Sequence, residues 1–151
     1  MRVTRWICDD RGQDMVELAI VAPLLILLFT GIYALGYFAY YAIEVSNAAH
    51  AGAIYGMQSS TSAIDTSDIV LSAQKEVPEK SITVTPSYYY VCLGALNGTT
   101  YGTTTDAAAS CANYQMMVRV QTSLALATPV SVPGLPDSIT LSGNSVMEVQ
   151  N

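Results

Sequence analysis

Leu18–Ile43 is an uninterrupted run of 26 residues in which tyrosine is the only ionisable side chain, with Glu17 at its N-terminal edge and Glu44 just past its C-terminal edge. As a helix the run is about 39 Å long, more than the ~30 Å hydrocarbon core of a bilayer. A chain carrying such a segment folds around a membrane span that accommodates its excess length by tilting. Pro23 predicts a kink or a melted turn near the start of the helix. Gly31 and Gly36 loosen the helix and permit close approach of a neighbour.

Glu17 sets the chemical problem. A carboxylate at the edge of a bilayer costs several kcal/mol unless it is paired. A cut after Gly12 would supply the partner: a free α-amine on Gln13, one helical turn from Glu17, from the same subunit or a neighbour. The plainer alternative is an interfacial glutamate near the positive end of the helix dipole. Charge distribution orients the chain. Arg2, Arg5 and Arg11 precede the apolar run, and only Lys75, Lys80 and Arg119 follow it. The positive-inside rule therefore places residues 1–12 in the cytoplasm and the C-terminal domain outside it. Hydrophobic residues are 51% of the chain and charged ones 12%, as expected of a membrane-anchored protein. The net charge of −6 argues against nucleic acid as a partner, because such binding rests on neutralising phosphates.

The string Arg11-Gly12-Gln13-Asp14-Met15-Val16-Glu17-Leu18-Ala19-Ile20-Val21-Ala22-Pro23-Leu24-Leu25 resembles the start of type IV-type prepilins: a short basic leader, Gly, Glu at the fifth mature position, then an apolar helix. It is most similar to the TadE-like minor pilins or pseudopilins of tight-adherence (Tad) secretion systems. Asn47–Ala53 resembles the small-residue stretch that follows the membrane helix in that family, and Ile139–Glu148 its C-terminal strand. Leu18 stands where the family usually has an aromatic, and Asp14 adds an acid before Glu17.

The resemblance implies a leader (1–12) removed by a prepilin peptidase between Gly12 and Gln13, a transmembrane and extended helix (13–57), and an extracytoplasmic α+β domain (58–151). It implies assembly through Glu17, with other pilin or pseudopilin subunits, the peptidase, an inner-membrane assembly platform and membrane lipid as partners. The family's major fibre subunits are short, so a domain this large points to a minor subunit involved in pilus biogenesis or adhesion. It implies residence in a bacterial inner membrane as a single-pass protein, with incorporation into a cell-surface pilus an open extension.

Beyond the span, Ala48, Gly52 and Gly56 recur at every fourth position. This small-residue seam serves packing either against a partner helix or against the chain's own sheet. Gln58–Thr66 reads as a loop. Thr66 or Ser67 caps a helix to about Val77, with Ile69, Val70 and Ala73 as its apolar face and Pro78 at its end. The period then changes to two: Ile82 and Val84 alternate with polar residues, β-favouring residues continue to Cys92, and Pro86 marks an edge strand or a bulge. Leu93–Ala112 is a Gly/Thr/Ala/Ser-rich excursion. Tyr114, Met116, Val118, Val120, Leu124 and Leu126 form the clearest strand. After a Pro/Gly loop at 129–136, Ile139, Leu141, Met147 and Val149 give a last strand, with Gly143 as a bulge. The fold class is α+β: a long N-terminal helix, one short helix and a three- or four-stranded, mostly antiparallel sheet.

Cys8 lies in the leader. Cys92 and Cys111 form an even pair in a disulfide-permitting compartment. A bridge there would stabilise by roughly 3 kcal/mol on the chain-entropy estimate; two buried free thiols are the alternative. No His/Cys cluster has metal-ligand spacing, and His50, the single histidine, has no nucleophile motif beside it. No phosphate loop is present. The expectation is a protein without cofactor, metal or catalytic site. Asn97-Gly98-Thr99 is a chance-level sequon. Tyr88–Tyr90, Tyr101 and Tyr114 pack across a sheet or form an adhesive patch. Two other functions remain: an uncleaved, signal-anchored protein with a binding or sensor domain, and a secreted protein cut after Ala34-Leu35-Gly36.

Overall fold

The computed structural model describes residues 11–93, 99–129 and 136–150, with side chains from Met15 onward. The order of elements is α1 (Arg11–Gly56), α2 (Ser60–Ile64), α3 (Thr66–Lys75), β1 (Thr83–Cys92), β2 (Thr100–Tyr101), α4 (Thr104–Ser110), β3 (Tyr114–Ala127) and β4 (Ser138–Glu148). The architecture is α+β, and the sheet is antiparallel throughout, in the order β2-β1-β3-β4. The chain divides into two units, Met1–Tyr37 and Phe38–Asn151, so the second unit takes in the C-terminal part of α1 as well as the sheet.

Within the second unit, α1 buries Val45, Ala48, Ala49 and Ala53, a stripe at helical spacing. The stripe meets the even-numbered face of β3, where Met116, Val118, Val120, Leu124 and Leu126 are buried in strict alternation. Ala63 of α2, Ile69 of α3 and Val149 close the same core. Val118 and Val120 are fully buried, and each stabilises the fold by roughly 2 kcal/mol relative to an exposed valine. The odd-numbered residues of β4 turn inward, as their pattern predicts.

Local chemistry places the helix ends. Asp65 caps α3 by accepting from the Asp68 N–H at 3.2 Å, so the cap is one residue before Thr66, and the helix stops at Lys75 rather than Val77. The expected loop at 58–66 contains α2, started by Ser59, whose Oγ accepts from the Ser62 N–H. The excursion at 93–112 contains β2 and α4, the latter capped by Thr103. Ser/Thr-rich composition favours loop, yet the same residues start short helices that α3 and β1 hold in place.

Two further expectations change. α1 runs through Pro23 without a break, so no turn melts there, although Pro23 has no N–H to donate to the preceding turn. Gly143 is not a bulge: β3 and β4 pair residue for residue from Met117–Glu148 to Ala127–Ser138, with Gly143 opposite Thr122. Pro86 also sits in an unbroken register, and β2 pairs only with Tyr90 and Val91, so Pro86 lies where β1 is a sheet edge.

Candidate functional site

The side chains of Leu24, Leu25, Ile26, Leu27, Leu28 and Phe29 are 43–71% exposed. Six consecutive residues pass through more than one full helical turn, so α1 is apolar on every side here, not along a single stripe. No face of this segment is covered by the described residues, whereas a soluble helix hides its apolar face. The helix is long and apolar enough to cross a membrane. The Thr30 hydroxyl donates back to the Ile26 carbonyl at 2.6 Å, which satisfies the only non-tyrosine hydroxyl in Leu18–Ile43 within the helix itself. Gly31 and Gly36 leave open space: a Cβ on either would meet nothing within 4 Å.

Glu17 is exposed near the start of this segment, and the Gly12–Gln13 bond lies within the first turn of α1. Helical geometry puts Gln13 and Glu17 one turn apart on the same side. The arrangement offers the Glu17 carboxylate, with Asp14 three residues before it, at the edge of an uncharged apolar surface.

The small-residue seam lies against the chain's own sheet and α3. A Cβ on Gly52 would stand 3.2 Å from Val120 Cγ1 and 3.3 Å from the Ala73 Cβ, and one on Gly56 would stand 2.9 Å from Val118 Cγ2. Ala48 is fully buried. The tightest approach involves Gly143, where a Cβ would come within 2.6 Å of the Val45 carbonyl oxygen and 2.7 Å of Thr122 Oγ1. The Thr122 hydroxyl, 2% exposed as a residue, donates to that Val45 carbonyl at 2.8 Å. Sequence reading missed Thr122. Its signal was a polar residue on the inward, even-numbered face of β3, where burial demands a partner.

Cys92 and Cys111 are bridged, with Cα atoms 5.5 Å apart, joining the end of β1 to the C-cap of α4. The tyrosines form a sheet ladder. Tyr88, Tyr90 and Tyr114 meet edge to face at 6.5 and 5.9 Å, and Tyr101 pairs with Tyr90 across β1–β2. Burial, then the neighbouring Tyr88 and Tyr114, raises the Tyr90 pKa above its usual value. On the opposite sheet face the Arg119 guanidinium lies 5.0 Å from the Tyr89 ring centre and donates to its hydroxyl at 3.4 Å. His50 is exposed. Among the described residues no group of His, Cys, Asp or Glu could hold a metal ion. Asn97 and Gly98 of the sequon lie outside the described residues.

The family model of TadE-like protein matches residues 12–53. The matched TadE-like segment starts at the Gly12–Gln13 bond and includes Glu17, the exposed apolar span and the seam as far as Ala53. It ends before the disulfide and the sheet. No curated protein and no solved structure matches the chain. The match agrees with the resemblance carried by Gly12, Glu17 and the apolar run.

Proposed function

We propose that this protein is a minor pilin or pseudopilin of a Tad-type pilus and secretion system, anchored in the inner membrane by α1 with its sheet domain outside the cytoplasm. A prepilin peptidase hydrolyses the Gly12–Gln13 amide, leaving a carboxylate on Gly12 and an ammonium on Gln13. The ammonium of one subunit then meets the Glu17 carboxylate of another. In a low-dielectric setting the attraction is large but the net gain is modest after desolvation, so the pair chiefly fixes the register of subunits delivered by the assembly platform.

The observation that carries this reading is the exposed Glu17 carboxylate at the edge of a helix apolar all round, inside the segment that matches TadE-like protein. Such a surface calls for lipid first and other apolar helices later.

The test is the intact mass of the protein from native cells together with its presence in assembled fibres. The expected mass begins at Gln13. Gly12→Leu yields uncleaved precursor. Glu17→Gln is inserted and cleaved but leaves the ammonium unpaired, on the order of 3 kcal/mol against incorporation. A mass beginning at Met1 in functional cells would instead mean a signal-anchored domain, and one beginning at Tyr37 a secreted protein.

A further inference from the structure

The apolar run does not spread its aromatic residues evenly. Leu18–Ile32 contains no tyrosine, whereas Tyr33, Tyr37, Tyr40 and Tyr41 crowd into the next nine residues together with Phe38. The Tyr33 and Tyr37 rings lie 6.3 Å apart on one side of the helix. Tyrosine prefers the membrane–water interface, where its ring is in contact with lipid and its hydroxyl with water. The spacing agrees with this placement. Twenty residues separate Glu17 from Tyr37, about 30 Å of helix, which equals the thickness of a typical hydrocarbon core. Charge marks one end of that distance and tyrosine the other, so no tilt is required.

The second unit adds an independent observation. Its helical part and β3 run in opposite directions: Gly56 approaches Val118, Gly52 approaches Val120, and Val45 meets Thr122. The end of this unit nearest Phe38 therefore holds the β1 start, Thr83, which pairs with Ser123. The segment before it, 76–82, carries Lys80, whose ammonium sits 5.6 Å from the centre of the Tyr41 ring. Tyr41 is buried while Tyr40 beside it is 56% exposed. A cation is thus held beside the tyrosine-rich end of the apolar run. Lys80 is one of only three basic residues after the apolar run. Glu44, Glu76 and Glu79 are its acidic neighbours in sequence or on the facing turn, so attraction to an anionic surface in general does not explain the placement.

We propose that the lipid–water boundary on the domain's side crosses α1 at Tyr37–Tyr41, and that the α3–β1 segment carrying Lys80 rests in the phospholipid headgroup layer, its ammonium facing lipid phosphate. The hydrocarbon span is then Leu18–Gly36, and the remainder of the apolar run, through Ile43, belongs to the interface. This inference rests on the membrane insertion of α1 and is independent of cleavage and pilus assembly.

The test uses the full chain in phosphatidylcholine vesicles, with Trp6→Phe in every variant and a single new tryptophan from Phe29→Trp, Tyr40→Trp or Ile54→Trp. Lipids brominated near the glycerol end or at the methyl end of the acyl chain serve as depth-dependent quenchers. The Phe29→Trp probe, about 12 Å below Tyr37, loses most emission to methyl-end bromine. The Tyr40→Trp probe loses most to glycerol-end bromine, and the Ile54→Trp probe, about 20 Å along the helix from Tyr40, is quenched by neither. A benzophenone side chain in place of Glu79 forms lipid adducts on irradiation, and one in place of Gln58 forms none. Stronger methyl-end quenching of the Tyr40→Trp probe would overturn the boundary while leaving insertion intact. Absence of lipid adducts at position 79 would overturn the headgroup contact. Failure of either quencher to reach the Phe29→Trp probe would overturn insertion itself, and this proposal with it.

Discussion

One helix carries two kinds of surface. Between Leu24 and Phe29, α1 is apolar and exposed on every side; between Val45 and Gly56, its buried residues fall on one stripe at spacings of three and one. The compositions differ: Leu24–Phe29 is Leu, Ile and Phe throughout, whereas 45–56 is rich in alanine and glycine and includes Ser46, Asn47 and His50. Periodicity adds where the covering comes from. A stripe means that the chain supplies its own covering, here β3 and α3. Its absence means that the described residues do not supply it, and the proposed covering is a bilayer and then, in the fibre, other subunits.

The largest effect that separates the two surfaces is expected from a charge. Leu28→Lys places an ammonium near the middle of the span and opposes insertion by about 3 kcal/mol. It should leave the urea midpoint of the sheet domain unchanged, as read by tyrosine fluorescence in detergent. A shifted midpoint would show that the exposed segment contributes to the domain's stability. In the other direction, Gly143→Ala drives a methyl group against the Val45 carbonyl and Thr122 Oγ1. It should destabilise the domain by about 2 kcal/mol while leaving membrane insertion as it was. An unchanged urea midpoint would mean that helix and sheet separate there at little expense.

The smallest effect concerns pH. The Tyr90 pKa is raised in the fold, chiefly by burial and then by its tyrosine neighbours, so the folded state holds the phenol proton more tightly than the unfolded state, whose tyrosines ionise near pH 10. Its stabilisation is complete below that value and is lost as pH rises through the higher folded pKa. Alkaline titration of domain stability should therefore fall less steeply in Tyr90→Phe than in the parent. Identical slopes would remove Tyr90 from the account. The apolar segment has no counterpart to this response between Leu18 and Ile32, where no side chain titrates.

The strands were legible because a half-buried strand shows its inward face at every second residue: the even positions of β3 from Met116 onward are buried, and the odd positions of β4 are less exposed than the even ones. The helix caps were legible only to within a residue. Thr66, Ser67 and Asp65 all have a side-chain oxygen suited to capping, and Asp65 is selected by the hydrogen bond it makes. The short helices α2 and α4 were not legible, because five and seven residues, mostly Ser, Thr and Ala, carry too little periodicity to stand out from loop. For Ala48, Gly52 and Gly56 the spacing identified a packing face but not the partner, since small residues admit any close neighbour.

By itself the sequence determined what can be read along the chain: a helix of membrane length bounded by a carboxylate, the inward face of each long strand, and a glycine–glutamate spacing inside the segment that matches TadE-like protein. Those properties repeat at fixed local intervals, or lie within a few residues of one another. Tertiary structure alone decided which surfaces meet. It made Gly143 a point of close approach instead of a bulge, gave the Thr122 hydroxyl its acceptor on α1, and turned the small-residue seam toward the chain's own sheet. The physical reason is that the meeting of residues 77 apart, such as Val45 and Thr122, depends on how whole elements pack, and no local period encodes that.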